Sequence, residues 1–334
     1  MHDRFIPKRR LSLLFAASAL TAGLFSAPVC AADWPDRAVT VVVPFSAGGT
    51  TDVVGRLIAN KLGQMWGQSV VIENKLGAGG NIGSAAVAQS KPDGYTILLA
   101  SGSILTVNPH LYASLPFDVD NDFLPVTNIA QGPMVVVTAK KVKVKTLQEL
   151  LDMAKKNPKK LNMGSAGMGS QVHMAGENFS YAAKVEFTHV PYRGEAAGLS
   201  DLLAGQIDLM VGNIGAATPH IQSGMINVLA VTSKDRAAML PDVPTVSEAG
   251  VPGFENYGWF GFVVPKGTPN DIVRKIQQDT VKVLAMKDVK EKLSSLGMQA
   301  VGNSSEEFAN NIKEESDRWA KVIKERNITI SSGG

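Results

Sequence analysis

Three glycine-bearing stretches stand where a backbone could hold an anion. They are Pro44-Phe45-Ser46-Ala47-Gly48-Gly49-Thr50-Thr51-Asp52, Gly77-Ala78-Gly79-Gly80-Asn81-Ile82-Gly83, and Met163-Gly164-Ser165-Ala166-Gly167-Met168-Gly169-Ser170-Gln171-Val172-His173. Each reads as the loop between an apolar strand and a helix start. Glycine lets backbone N–H groups approach a ligand closely, and the first turn of a helix supplies unpaired N–H donors with about half a positive charge. Together they make an anion seat that needs no basic side chain. Candidate contacts in the first loop are Phe45, Ala47, Gly48, Gly49, Thr50 and Thr51, with Thr51 or Asp52 expected to cap the helix. The second loop offers Gly79, Gly80 and Asn81. The third offers Ser165, Ala166, Gly169, Ser170 and His173, its serines adding hydroxyl donors. Two such loops on facing lobes would clamp a dicarboxylate at both ends. Arg193, in Pro191-Tyr192-Arg193-Gly194, and Asn213 each follow a strand and could reach the same ligand edge.

Other chemistries fit less well. With Gly77 and Gly79 as its first two glycines, a dinucleotide fingerprint would need its third at Ile82, and no Gly-Lys-Ser/Thr ends a P-loop. His110, His173, His189 and His220 lack metal-site spacing and read as surface or core-edge histidines, with His173, in the first turn of a loop-facing helix, the exception. A nucleophile elbow at Ser165 would need glycine where Met163 stands. A secreted α/β hydrolase is therefore the weaker alternative, separable by turnover of generic esters lost on Ser165→Ala. No catalytic residue, metal or cofactor is expected.

These loops need a frame. Apolar β-branched runs alternate with amphipathic segments along the chain, the mark of an α/β fold with mostly parallel sheet. Ala38–Val43, Ser69–Glu73 and Tyr95–Ala100 read as strands, with a helix from Thr51 to Leu62 closed by Gly63. The pattern restarts in the middle. Val126–Ala130 and Met134–Thr138 read as two strands, and Thr146-Leu147-Gln148-Glu149 as a capping box. Further strands are Leu161–Ser165, Val185–Val190, Ile207–Val211, Asn227–Val231 and Gly258–Val264. Ser304-Ser305-Glu306-Glu307 opens the last helix.

The chain has 334 residues and a formal charge of +3, but four basic residues and one acid fall within residues 1–32, leaving 29 of each sign beyond them. The basicity therefore gives no ground for nucleic-acid binding. Residues 1–32 read as a secretory signal peptide: Lys8-Arg9-Arg10, an apolar run to Ala27, then cleavage near Ala31 or Ala32. The mature protein is then expected to be periplasmic and to lack cysteine, since Cys30 leaves with the leader. Chain crossings near Ser101-Gly102-Ser103 and between Gly224 and Thr232 would divide it into one lobe of residues 33–103 and 229–334 and a second of 104–228.

Several motifs together carry a resemblance. Besides the first two loops, they are Trp34-Pro35, Glu73-Asn74-Lys75, Pro92-Asp93-Gly94-Tyr95, Asn108-Pro109-His110-Leu111-Tyr112, Gly164-Ser165-Ala166-Gly167, His189-Val190-Pro191-Tyr192, Leu229-Ala230-Val231-Thr232 and Pro241-Asp242-Val243-Pro244-Thr245. From about residue 34 to the C-terminus the chain resembles solute-binding proteins of the tripartite tricarboxylate transporter family, also called Bug receptors. The resemblance implies a two-lobed, type II-like Venus-flytrap fold that closes on a small carboxylate. One carboxylate would be held by residues 45–51 and 79–81, and selectivity would come from residues 165–170, Tyr192-Arg193 and Asn213. It implies delivery to membrane permease subunits, and a monomer is the default expectation for the chain itself. Presentation to a membrane signalling protein is the alternative the sequence does not separate. Two departures stand out: Arg193 where many members have Lys, and Gly212 where many have Asp. Loss of that acid removes a partner for a ligand amino group and tilts the expectation away from amino acids.

Overall fold

The change from one lobe to the other happens inside a single strand. The computed structural model describes residues 34–326 together with 2 and 328, so the expected signal peptide and its cleavage site lie outside the described residues. Residues from Arg37 onward form one unit by their contacts. Its elements begin with β1 (Val39–Val43), α1 (Thr50–Trp66), β2 (Val70–Asn74), a 3-10 turn (Ala78–Gly80), α2 (Asn81–Ala88) and β3 (Thr96–Ser101). Three short helices follow, α3 (Gly102–Thr106), α4 (Asn108–Leu111) and α5 (Val119–Asp122), leading into β4 (Phe123–Ala139). The second half runs α6 (Leu147–Lys156), β5 (Asn162–Ser165), α7 (Gln171–Ala183), β6 (Thr188–Pro191), α8 (Glu195–Leu203), β7 (Leu209–Asn213), α9 (Ile214–Gln222) and β8 (Ile226–Val231). The chain ends with β9 (Tyr257–Pro265), α10 (Asn270–Ala285), α11 (Lys287–Ser295), β10 (Gln299–Ala300) and α12 (Ser305–Glu325).

The strand order is β2-β1-β3-β9-β4-β7-β5-β6, with β8 and β10 also paired to β4. The first part of β4, Phe123 to Pro133, pairs with β9, and the rest, Met134 to Ala139, with β7 and β8. Where two strands were expected there is one of 17 residues. The proline at position 133 sits where the partner changes, and the register shifts near Pro125, as proline's missing donor favours at bulges.

Two expectations change as a result. The sheets are mixed rather than mostly parallel. β1 is parallel to β2 and β3, and β5 is parallel to β6 and β7, but β4, β8 and β9 run antiparallel to their neighbours. The cause is geometric: a strand leaving one lobe and one returning to it must run in opposite senses. The sheet also changes later than residues 103 and 228 would place it. Residues 104–131 lead into or belong to the first sheet, β8 still pairs in the second, and the return falls between Val231 and Tyr257.

Local chemistry explains the helices beside the loops. α1 buries Val54, Ile58 and Leu62 fully, spaced i, i+4, i+8 on one face. It runs past Gly63 and ends at Gly67, whose φ of 66° is the left-handed conformation glycine favours at a helix end. Ser304 and Glu307 form a reciprocal capping box on α12, and Thr146 accepts from the Glu149 N–H on α6.

Candidate functional site

The registers decide which loops meet. β9 runs from the sheet change toward Pro265, and β3 is antiparallel to it, so β3 and its parallel neighbours β1 and β2 point their carboxyl ends at the change. In the second lobe β7 is antiparallel to β4, so β7, β5 and β6 point back at the same place. The loops after six strands therefore converge on one crevice, with α1, α2, α7, α8 and α9 entering it by their N-termini. Ligands bind at such carboxyl edges in open α/β sheets.

The glycine loops face each other across it. A Cβ placed on Gly79 would strike the Met168 carbonyl oxygen and come within 3.1 Å of the Met168 carbonyl carbon. A Cβ on Gly194 would lie 2.6 Å from the Ser46 nitrogen. The Tyr112 hydroxyl donates to the Met168 carbonyl oxygen at 2.7 Å. The cleft between the loops leaves about 20 Å³, room for about one water. Its wall includes Phe45, Gly49, Thr50, Thr51, Ala166, Ser170 and Asn213 from the sequence expectation, together with Ser101, Gln171, Val172, Glu195 and Phe260.

A carboxylate already sits between the lobes, and it comes from the chain. Glu195, the first residue of α8, is buried. It accepts from the Asn213 N–H at 2.6 Å, the Asn213 Nδ2 at 3.0 Å and the Thr50 hydroxyl at 3.1 Å, and the Thr50 backbone also donates to it. Burial pushes its carboxyl up, against the opposing pull of these hydrogen bonds. Sequence reasoning did not single out Glu195. The sole clue was its place at a helix start just after the Tyr192-Arg193-Gly194 turn. It also fills the space beside Gly212, where a Cβ would stand 3.1 Å from Glu195 Oε1.

The first loop is held from behind. The N-cap of α1 is Gly49, with no side-chain cap. Asp52 does not cap from outside the helix; it reaches back to accept the Gly48 N–H at 3.0 Å, and also accepts from Arg56 Nε at 2.9 Å and Asn74 Nδ2 at 2.9 Å. Asn74 Nδ2 donates to the Phe45 carbonyl as well, at 3.0 Å. Burial raises the Asp52 carboxyl, but the bonds from Arg56, Gly48 and Asn74 outweigh it and the net direction is down. The loop is thus fixed from behind, on the side away from the Thr50 N–H that donates to Glu195.

Several other expected residues hold partners within the chain. The Ser170 hydroxyl caps α7 by accepting from the His173 N–H. The Ser165 hydroxyl lies 2.6 Å from His189 Nε2 and accepts from the Gly167 N–H at 3.1 Å. His173 and His189, read as isolated, stack with centroids 4.0 Å apart. Burial lowers their pKa values to about 3 and about 4, with His189 adding to the effect on His173. His173 Nδ1 accepts the Gly169 N–H at 3.1 Å, so the pair shapes the third loop from behind. Asn81 accepts from Asn108 Nδ2 at 2.7 Å. The Tyr192 hydroxyl donates to Asp201 and is pushed up to about 12 by burial and that carboxylate. Ala47, Gly48 and Arg193 are exposed. Gln171 donates to Asn213 Oδ1 at 3.1 Å and accepts the Trp259 N–H at 3.1 Å, tying α7 to the returning strand. Among the described residues no group of three metal-ligating side chains forms, and no helix is long and apolar enough to cross a membrane.

Two lobes that close strand ends and helix N-termini on a carboxylate define a solute-binding receptor, a protein that captures rather than converts. Comparison with known proteins agrees. Residues 54–328 match the tripartite tricarboxylate transporter family receptor. Protein BugT of Bordetella pertussis is 36% identical over 317 residues, 95% of this chain and 97% of BugT. A Rhodopseudomonas palustris protein solved with adipate is 38% identical, with a TM-score of 0.85 over 87% of this chain and 98% of its own. MatC of the same organism, solved with bound malate, is 34% identical, with a TM-score of 0.83 over 86% and 99%. The chain belongs to the tripartite tricarboxylate transporter receptor family, whose members are periplasmic solute-binding proteins and not enzymes.

Proposed function

We propose that this chain is exported, captures a small dicarboxylate between its lobes and delivers it as a monomer to the membrane subunits of a tripartite tricarboxylate-type transporter. The observation that carries the reading is the grip of Thr50 and Asn213 on a carboxylate, one donor set from each lobe. A ligand carboxylate would take the same donors after the lobes open. Gly49 to Thr51 and Gly79 to Asn81 would serve from the first lobe. Ala166, Ser170, Gln171 and Asn213 would serve from the second, with Arg193 free to reach the second ligand carboxylate. The adipate and malate held by the two relatives favour diacids of four to six carbons. In this reading the first lobe comprises residues 37–131 and 257–326, and the second 134–231.

Closure follows from differential binding, because only the closed form offers both donor sets. Micromolar capture corresponds to about −8 kcal/mol, and charge-assisted hydrogen bonds of about 1.5–3 kcal/mol each supply a large share. The test is a thermal-shift and calorimetric panel on the exported protein with malate, succinate, adipate, citrate and neutral diesters of the same diacids. A ligand at one hundred times its Kd stabilises by about 2.7 kcal/mol, enough to raise Tm measurably. A rise with diacids and none with diesters is expected. Silence across all the acids would overturn the reading.

A further inference from the structure

We propose that Glu195 is a tethered stand-in for the ligand's carboxylate: it occupies the donors of Thr50 and Asn213, draws the lobes together, and must be displaced before a diacid binds. The proposal deepens the carboxylate-capture reading above and rests on it.

The argument starts from saturation. An ionised carboxylate has about four acceptor positions. Glu195 receives donors from Asn213 N, Asn213 Nδ2, Thr50 Oγ1 and the Thr50 backbone, two from each lobe. No Lys or Arg among the described residues makes an ion pair with it; every partner is a neutral N–H or O–H. This is the donor set a backbone anion site presents to a ligand, and a buried acid gripped in this way is not there to pair with a neighbouring cation. Its tether has the right length, since α8 starts at Glu195 and the side chain spans the gap to the head of α1. Gly212 leaves room for it, because a Cβ there would crowd Oε1 at 3.1 Å.

A ligand carboxylate and Glu195 cannot both hold these donors in a cavity of about 20 Å³. Binding of a diacid then requires Glu195 to swing away, and the receptor's apparent affinity falls by the fraction of molecules whose donors are free. Glu195 thereby sets a threshold: a ligand that can outcompete it needs a second anionic group to engage the other lobe. Monocarboxylates of similar length should fail where diacids succeed.

The test compares full exported chains carrying Glu195, Glu195→Ala and Glu195→Asp. Adipate and hexanoate are titrated by calorimetry, and the radius of gyration without ligand is measured by small-angle scattering. Glu195→Ala is expected to bind adipate about tenfold more tightly, to bind hexanoate measurably, and to be more expanded without ligand. Glu195→Asp keeps the charge but is one methylene too short to reach Thr50, so it should behave like Glu195→Ala. An Asp variant as weak as the parent would point to charge repulsion and overturn the stand-in. So would weaker adipate binding by Glu195→Ala, which would make the acid a ligand contact. Equal compactness of all three chains would overturn it even if no diacid bound. Absence of diacid binding in every chain would instead remove the carboxylate reading on which it rests, and scattering keeps the two failures apart.

Discussion

Gly79→Ala should separate closure from folding. Gly79 adopts φ 62°, ψ 20°, a left-handed conformation that costs alanine about 1–2 kcal/mol. That local strain exists whether the lobes are open or shut. The added methyl also meets the facing lobe: the Met168 carbonyl oxygen directly, the Met168 carbonyl carbon at 3.1 Å and the Ser170 nitrogen at 3.3 Å. These are backbone atoms, so no rotamer change relieves the clash, and the loops must part by about 1 Å to restore ordinary contact. The Thr50 to Glu195 hydrogen bond, now 3.1 Å, would lengthen beyond hydrogen-bonding range, and so would any ligand bond made across the same gap. Losing one or two charge-assisted bonds of about 1.5–3 kcal/mol removes about 3 kcal/mol from ligand binding, or about a hundredfold in Kd. Calorimetry with a bound diacid measures the affinity, and a urea melt without ligand measures stability. A stability loss near 1–2 kcal/mol with a hundredfold loss of affinity is expected. Affinity within about threefold of the parent would refute the idea that these two loops clamp the ligand.

Thr50→Val should weaken diacid binding about tenfold while leaving the α1 backbone donors in place, read by the same calorimetry. Asp52→Ala should free the first loop and cost about 1–3 kcal/mol in a urea melt at pH 7. The folded Asp52 carboxyl lies below its ordinary range, so its contribution is present above pH 4 and fades as acid protonates it; the variant should differ least from the parent at the lowest pH. His173 and His189 act in the same direction but in a higher pH window. Their folded values near 3 and 4 lie below the ordinary 6.5, so between those limits the unfolded chain binds more protons. Stability should therefore decline as pH falls from 6.5 toward 4, by at most about 1.4 kcal/mol per pH unit for each ring. Melts at pH 7.5, 5.5 and 4.5 should show this slope reduced in His189→Gln; an unchanged slope would show that other groups dominate.

The strand, loop and helix order around the crevice was legible because periodicity and glycine placement are local signals. β1, the loop after it and the start of α1 sit within a residue or so of the expectation. What was not legible depends on partners distant in the chain. The junction strand β4 read as two because Gln131-Gly132-Pro133 interrupts the apolar pattern, and only pairing with β9 on one side and β7 and β8 on the other makes it continuous. His173 and His189 carry no spacing that predicts their stack, which arises because α7 and β6 pack beside β5. The serine hydroxyls of the third loop read as ligand donors, and their partners within the chain, the His173 N–H and the His189 ring, were not legible. Glu195 was invisible as a site residue because its partners, Thr50 and Asn213, lie 145 positions before and 18 positions after it.

The 17-residue strand has a mechanical consequence. A covalent ribbon laddered into both sheets cannot be sheared without breaking bonds on one side, so relative movement of the halves must be absorbed as twist around Gln131 to Met134. The same ribbon couples their melting, since loss of either sheet strips half the partners from a strand the other needs. Both halves should therefore come apart in one cooperative step, and amide protons at the centre of that ribbon should exchange only through global opening.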